Sequence, residues 1–94
     1  MDAEDFQAAL LRDGFSADIR ELQPGTATPE HSHPFHVRGL VLEGDITLTT
    51  AAGSRTYRAG EVFTMAADHP HAEMIGPQGV RNLVGRLHPA TPGA

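Results

Sequence analysis

Two short segments of the sequence are rich in histidine, and their spacing suits the binding of a metal ion. The first segment contains His31, His33 and His36, and the second contains His69 and His71. Residues two positions apart project from the same face of an extended strand, because side chains alternate with a period of two. His31 and His33 can therefore direct both imidazoles at one ion, at metal–nitrogen distances of about 2.0–2.1 Å. The sequence predicts a metal site more clearly than it predicts a substrate.

The composition limits the kind of protein that carries this site. The chain has 94 residues, which suffice for one hydrophobic core, so we expect a single domain over residues 1–94. Its formal net charge of -5 argues against a nucleic-acid partner, which needs a basic surface. No apolar run approaches the length of a membrane span and no segment resembles a signal peptide, so we expect no membrane association and a cytoplasmic location. The absence of cysteine excludes disulfides and thiolate ligands.

The segments that must position the histidines have the pattern of short strands. Residues 2–12 place Phe6 and Leu10 on one face, begin with acidic residues and end before Gly14, which is typical of a short N-terminal helix. From about residue 15 to residue 87, apolar and β-branched segments alternate with turns, including turns predicted at 43–45 and 76–79. This pattern predicts an all-β barrel or sandwich, followed by a frayed tail at 89–94.

The first histidine segment resembles the first motif of the cupins, which are small jelly-roll barrels. That motif has Gly, five residues, His-x-His, three or four residues, Glu, six residues and Gly. The same spacing is present here at Gly25, His31, His33, Val37 and Gly44. The one departure is Val37, which stands where the family has glutamate or glutamine.

The second histidine segment resembles the second cupin motif, which has Gly, five residues, Pro-x-Gly, two residues and His. Gly60 and His71 keep this spacing, whereas Ala66 and Asp68 replace the proline and the glycine. Two motifs at the correct mutual spacing make the resemblance specific, whereas a single His-x-His does not. The resemblance implies a cupin-type jelly-roll barrel with a short N-terminal helix.

The resemblance also implies that the family's metal ligands fall on His31, His33 and His71. Imidazole ligands suit a divalent transition metal, so we expect Zn, Ni, Fe, Mn or Cu. The fourth ligand leaves two alternatives. Either the site has three histidines and is open, or a bulge at 34–35 turns His36 inward to take the place of the missing glutamate. We favour His36 as the fourth ligand. A third interpretation is that these histidines are the polar lining of a barrel that holds no metal.

Two classes of function follow from such a site. The first is a metal-dependent enzyme that acts on a small oxygen-rich molecule, of the isomerase, dioxygenase or sugar-acid type. Glu73 shares a strand face with His71 and is the candidate catalytic residue, although a carboxylate at the rim in a salt bridge is the alternative. The second class is a non-catalytic module that binds a small ligand or a metal. In either case a small core with exposed strand edges favours a homodimer.

Overall fold

A computed structural model of the chain describes residues 1–89, which form one helix and six strands. Most of the predicted tail at 89–94 lies outside the described residues. The helix α1 is Ala3–Arg12, and the strands are β1 Asp18–Leu22, β2 Ala27–His31, β3 His36–Thr50, β4 Gly53–Arg58, β5 Val62–Met65 and β6 His71–Leu87. No helix within residues 1–89 has the length and the apolar character that crossing a membrane would require.

All strand pairs are antiparallel and are organised around the long strands β3 and β6. These two pair with each other from His36↔Leu87 to Thr49↔Ala72. Strands β1 and β2 pair with β6, and strands β4 and β5 pair with β3. The predicted all-β jelly roll with a short N-terminal helix is confirmed.

The predicted turns at 43–45 and 76–79 are wrong, because the chain bends there without reversing. Strand β3 runs through the first segment, and its pairing with β6 shifts register between Val41 and Glu43 and again between Gly44 and Ile46. Such irregularities bend a strand and increase its twist. Gly44 (φ +75°) and Gly79 (φ +76°) lie opposite each other at the bend in left-handed backbone conformations. Glycine marks both a turn and a bend, so the local sequence does not distinguish them.

Alternation along the bent strands separates an interior face from an outer face. The interior core contains Val37, Val41, Ile46, Leu48, Phe63, Ile75, Val80 and Val84. On the outer face, Phe6 and Leu10 of α1 pack against Phe15, Leu40 and Leu83. The helix therefore covers the outside of the sheet and leaves the interior to the strands.

Gly14 ends α1 as the sequence predicts, and the structure shows in addition that Asp2 caps its N-terminus. The side chain of Asp2 accepts hydrogen bonds from the backbone N–H groups of Glu4 (2.7 Å) and Asp5 (3.2 Å). Gly14 follows the helix with φ +85°. Beside it, the Arg38 guanidinium donates to Asp13 Oδ2 at 2.6 Å and anchors the end of the helix to β3.

The bend at Gly44 provides a test of the fold. A Cβ atom on Gly44 would overlap the carbonyl oxygen of Gly79, whereas one on Gly25, which also has a positive φ, would contact nothing. Gly25→Ala should therefore cost only the left-handed strain of about 1–2 kcal/mol. Gly44→Ala should cost about 1–3 kcal/mol more, because the backbone must also move. Urea denaturation measures both costs, and equal costs would contradict the close approach of the two bends.

The Asp13–Arg38 contact gives a pH-dependent prediction. The hydrogen bond from Arg38 lowers the pKa of the Asp13 carboxyl below its ordinary value of 3.8, and a weaker hydrogen bond from Arg12 acts in the same direction. A depressed carboxyl pKa contributes stability that is present above 3.8 and is lost as the pH falls through the lowered pKa. Arg38→Met should return the pKa of Asp13 towards 3.8, as measured by NMR titration of its carboxyl carbon. An unchanged titration would show that Arg38 does not hold the carboxylate.

Candidate metal centre

Three separate parts of the fold bring histidines to one end of the barrel. His31 ends β2, His33 lies in the segment before β3, and His71 begins β6. Strand pairing sets His31 directly opposite His71. The His33 backbone is held from the other side, because its carbonyl accepts a 2.7 Å hydrogen bond from the N–H of Asp68. The loop before β6 therefore positions both the second and the third histidine.

The three imidazoles converge closely enough to share one ion. Potential ligand atoms of His31, His33 and His71 all lie within 4.8 Å of one another. The Nε2 atoms of His31 and His33 are 3.1 Å apart, and the ring centroids of His31 and His71 are 4.4 Å apart. Within residues 1–89, this is the group of side chains whose composition and spacing suit a metal ion.

Backbone carbonyls orient two of the three rings. His31 Nδ1 lies 2.8 Å from the carbonyl oxygen of Pro29, and His71 Nδ1 lies 2.9 Å from that of His69. A carbonyl oxygen only accepts, so each Nδ1 carries the hydrogen and each Nε2 has a lone pair. This is the arrangement by which metal-binding histidines are usually held in one tautomer. The backbone of His69, whose side chain is exposed, therefore has a positioning role.

The buried ring of His71 supports the fit to a metal. His71 is 2% exposed, and its Nε2 atom has no hydrogen-bond partner. A buried acceptor without a partner costs about 1–3 kcal/mol, which a bound cation would offset. Burial lowers the pKa of His33, and the neighbouring imidazoles of His31 and His71 lower it further. The neutral form, which is the form that binds a metal, is thereby favoured.

Glu73 lies beside the histidines, as its shared face with His71 predicts. Its Oε2 atom is 3.4 Å from His31 Nε2, and its side chain is 10% exposed. The carboxylate also lines the interior pocket together with His33. The site therefore combines three imidazoles with one carboxylate at the entrance to the barrel.

His36, by contrast, is not brought into the group. Its Nδ1 atom accepts a 3.0 Å hydrogen bond from the N–H of Ala67, and its ring lines an outer groove beside Asp13. Val37, the next residue, is 6% exposed and points into the interior core, so strand alternation turns His36 to the opposite face. The bulge that the sequence analysis required for a fourth histidine ligand is not present. The role of His36 as a ligand stays a prediction without support from this geometry.

The pocket behind the histidines contains polar residues that the sequence analysis missed. Asn82 lies on β6, and Arg20 and Arg86 lie on β1 and β6 around the same pocket. The sequence does contain a signal for them. One face of β6 consists of Val80, Asn82, Val84 and Arg86, so polar residues interrupt an apolar face. The rest of the lining is mostly apolar: Leu22, Phe35, Val37, Ile46, Phe63, Met65 and Val84.

The family can be assigned once this geometry is established. The model of the cupin domain matches residues 18–74, which is more than half of the chain and includes both histidine segments. The chain belongs to the cupin family. No protein of curated function matches the sequence.

Solved structures show the same fold at low sequence identity. A structure of unknown function from Rhizobium leguminosarum superimposes with a TM-score of 0.75 at 16% identity, over 82% of this chain and 73% of that chain. The cupin domain of an XRE-family transcriptional regulator from Enterobacter cloacae gives 0.65 at 22% identity, over 81% and 83%. The polyketide cyclase RemF from Streptomyces resistomycificus gives 0.63 at 25% identity, over 81% of this cupin and 57% of RemF.

Removal of one imidazole tests the metal centre. The His71→Ala variant should bind Zn²⁺ or Co²⁺ at least about 100-fold more weakly than the parent, because the buried donor has no substitute among residues 1–89. Isothermal titration calorimetry on protein purified without a tag or chelator measures the difference. Equal affinity of the variant and the parent would contradict the assignment.

His36→Ala is the matched control for that experiment. Its ring lies on the other face of β3, so we expect the affinity to stay within about twofold of the parent. A loss as large as that of His71→Ala would return His36 to the set of ligands.

Proposed function

We propose that this cupin is a metal-dependent enzyme that acts on a small oxygen-rich molecule by proton transfer. The observation that supports it best is the free Nε2 lone pair of buried His71 beside the other two imidazoles, with a carboxylate next to them. His31, His33 and His71 would hold a divalent transition metal, for which neutral imidazoles are suitable ligands. When bound, such an ion polarises a carbonyl group or lowers the pKa of a water molecule.

Glu73 has the position of a general base. Its carboxylate is largely buried and opens into the interior pocket beside His33, so it can accept a proton from a molecule that enters there. The carboxylate oxygen Oε2 lies 3.4 Å from His31 Nε2, which places the base next to the metal ligands proposed here. The apolar walls limit the access of water to the proton that moves. Among the reaction types that the sequence leaves open, these features favour proton transfer next to a carbonyl group, as in an isomerisation.

A non-catalytic binding module is the second candidate. It is favoured by the similarity to the cupin domain of a transcriptional regulator, which this chain matches over most of both lengths. The similarity to the polyketide cyclase RemF favours the enzyme, although this chain spans only 57% of RemF. The predicted homodimer and the predicted cytoplasmic location stay predictions.

Deuterium exchange distinguishes the two candidates. The protein is loaded with one equivalent of Zn²⁺, Mn²⁺ or Ni²⁺ and is mixed in D₂O with pyruvate, dihydroxyacetone or 2-oxoglutarate. For the enzyme, protons next to a carbonyl should exchange faster than with the same metal ion in buffer, as observed by ¹H NMR. Glu73→Gln should slow this exchange by about 100-fold or more, because the base is removed.

Glu43→Gln is the control, since Glu43 is exposed and lies outside the interior pocket. It should leave the exchange rate unchanged. Metal content near one per chain in all three proteins would show that each is folded. Wild-type exchange no faster than the metal in buffer would favour the binding module, and an unchanged rate in Glu73→Gln would exclude Glu73 as the base.

A further inference from the structure

The interior of the barrel contains an unusual pair of polar side chains. Among residues 1–89, the buried polar or charged residues are His71 and Asn82, each 2% exposed. Each also has a buried side-chain atom without a hydrogen-bond partner, namely His71 Nε2 and Asn82 Oδ1. The metal proposed above would supply the missing partner of His71 Nε2. It would not supply a partner for Asn82 Oδ1.

Asn82 faces the pocket from the middle of β6. It lies directly opposite Arg20 on the neighbouring strand β1, and both side chains line the pocket that also contains His33 and Glu73. Residues paired in this way across antiparallel strands bring their side chains into contact range. A buried amide oxygen without a donor is costly, whereas leucine has a similar size and no such cost. The amide therefore needs a donor from a molecule in the pocket.

Two arginines and one glutamate, Glu73, line the same pocket, which is therefore more positive than the protein as a whole, whose net charge is -5. Arg20 and Arg86 line it, and neither forms a salt bridge with a carboxylate in the part of the chain that the structure describes. The Arg86 guanidinium lies 5.1 Å from the ring of Phe35, and that ring stacks on His33 at 4.8 Å. The aromatic contacts thus hold one guanidinium next to the metal centre. Guanidinium groups recognise carboxylates through paired charge-assisted hydrogen bonds.

The size of the pocket limits what enters it. The space available to the centres of water molecules is about 30 Å³, which corresponds to two or three water molecules. A ligand can therefore place only a small polar group inside the barrel. The exposed arginines at the entrance are placed to bind its charged end.

We propose that this pocket binds small hydroxycarboxylates. The carboxylate is held by the guanidinium groups of Arg20 and Arg86, and the hydroxyl group forms a hydrogen bond with the side-chain amide of Asn82, which lines the pocket. As an assignment of substrate class, the inference rests on the proposed function. As a binding site, it stands on the pocket alone.

Three two-carbon probes separate charge from hydrogen bonding. Glycolate carries both groups, acetate lacks the hydroxyl group, and ethylene glycol lacks the charge. Each is titrated into ¹⁵N-labelled protein, with and without one equivalent of Zn²⁺, and dissociation constants are measured from amide chemical shifts. Glycolate should bind at least about fivefold more tightly than acetate and at least about tenfold more tightly than ethylene glycol. The metal-free arm excludes a preference that arises from chelation alone.

Variants assign the preference to side chains. Asn82→Leu should remove the advantage of glycolate over acetate, and it should raise the melting temperature by several degrees because the unpaired amide is lost. The double variant Arg20→Met/Arg86→Met should weaken glycolate and acetate at least about tenfold and leave ethylene glycol unchanged. The control Arg55→Met/Arg81→Met removes the same charge outside the pocket, and it should change the affinity for neither glycolate nor acetate.

The outcomes keep this inference distinct from the proposed function. Selective glycolate binding that depends on Asn82 and the two arginines supports the pocket even if the chain binds no Zn²⁺, a result that would overturn only the proposed function. Tight Zn²⁺ binding with no preference for glycolate, or with a preference that the variants leave intact, overturns the pocket. A lower melting temperature in Asn82→Leu would also count against it, because Asn82 would then be a structural residue.

Discussion

The antiparallel pairing of β3 with β6 is the interaction on which the rest of this structure depends. Both strands bend at the same level, where Gly44 and Gly79 approach so closely that no side chain fits between them. Because the bends coincide, the two strands stay paired on both sides of them. The other four strands attach to one of these two, so the shape of the barrel follows from this pair.

The same pairing determines which residues face the interior. On one side of the bend, β6 presents His71, Glu73 and Ile75 inward, and on the other side it presents Asn82 and Val84. In a straight strand, alternation would place these two groups of side chains on opposite faces. The bend brings Glu73 and Asn82 to one pocket, so a single strand contributes a carboxylate and an amide to that pocket and the candidate metal ligand His71 close to it.

The buried polar atoms show that this interior is not optimised for stability alone. A domain of 94 residues has little hydrophobic core to spare, and each unpaired buried acceptor costs about 1–3 kcal/mol. Such costs are typical of functional sites, where groups are held ready for a ligand. Both atoms, His71 Nε2 and Asn82 Oδ1, belong to the interior of the barrel. The function is therefore inferred from these atoms and not from the fold family.

The sequence by itself determined the N-terminal helix with its end at Gly14 and, through the resemblance to the cupin motifs, the fold family and the grouping of His31, His33 and His71. The helix depends on a local pattern, and the family depends on two short motifs at a fixed distance from each other along the chain. Only the tertiary structure decided that the glycines at 44 and 79 mark bends, because bending and reversal use the same residue and differ in strand pairing. It also decided that Val37, and not His36, faces inward, since the conformation of Pro34–Phe35 sets the strand face. Asn82 and Arg20 meet across a strand pair, and no local pattern encodes a contact between residues so far apart in the chain.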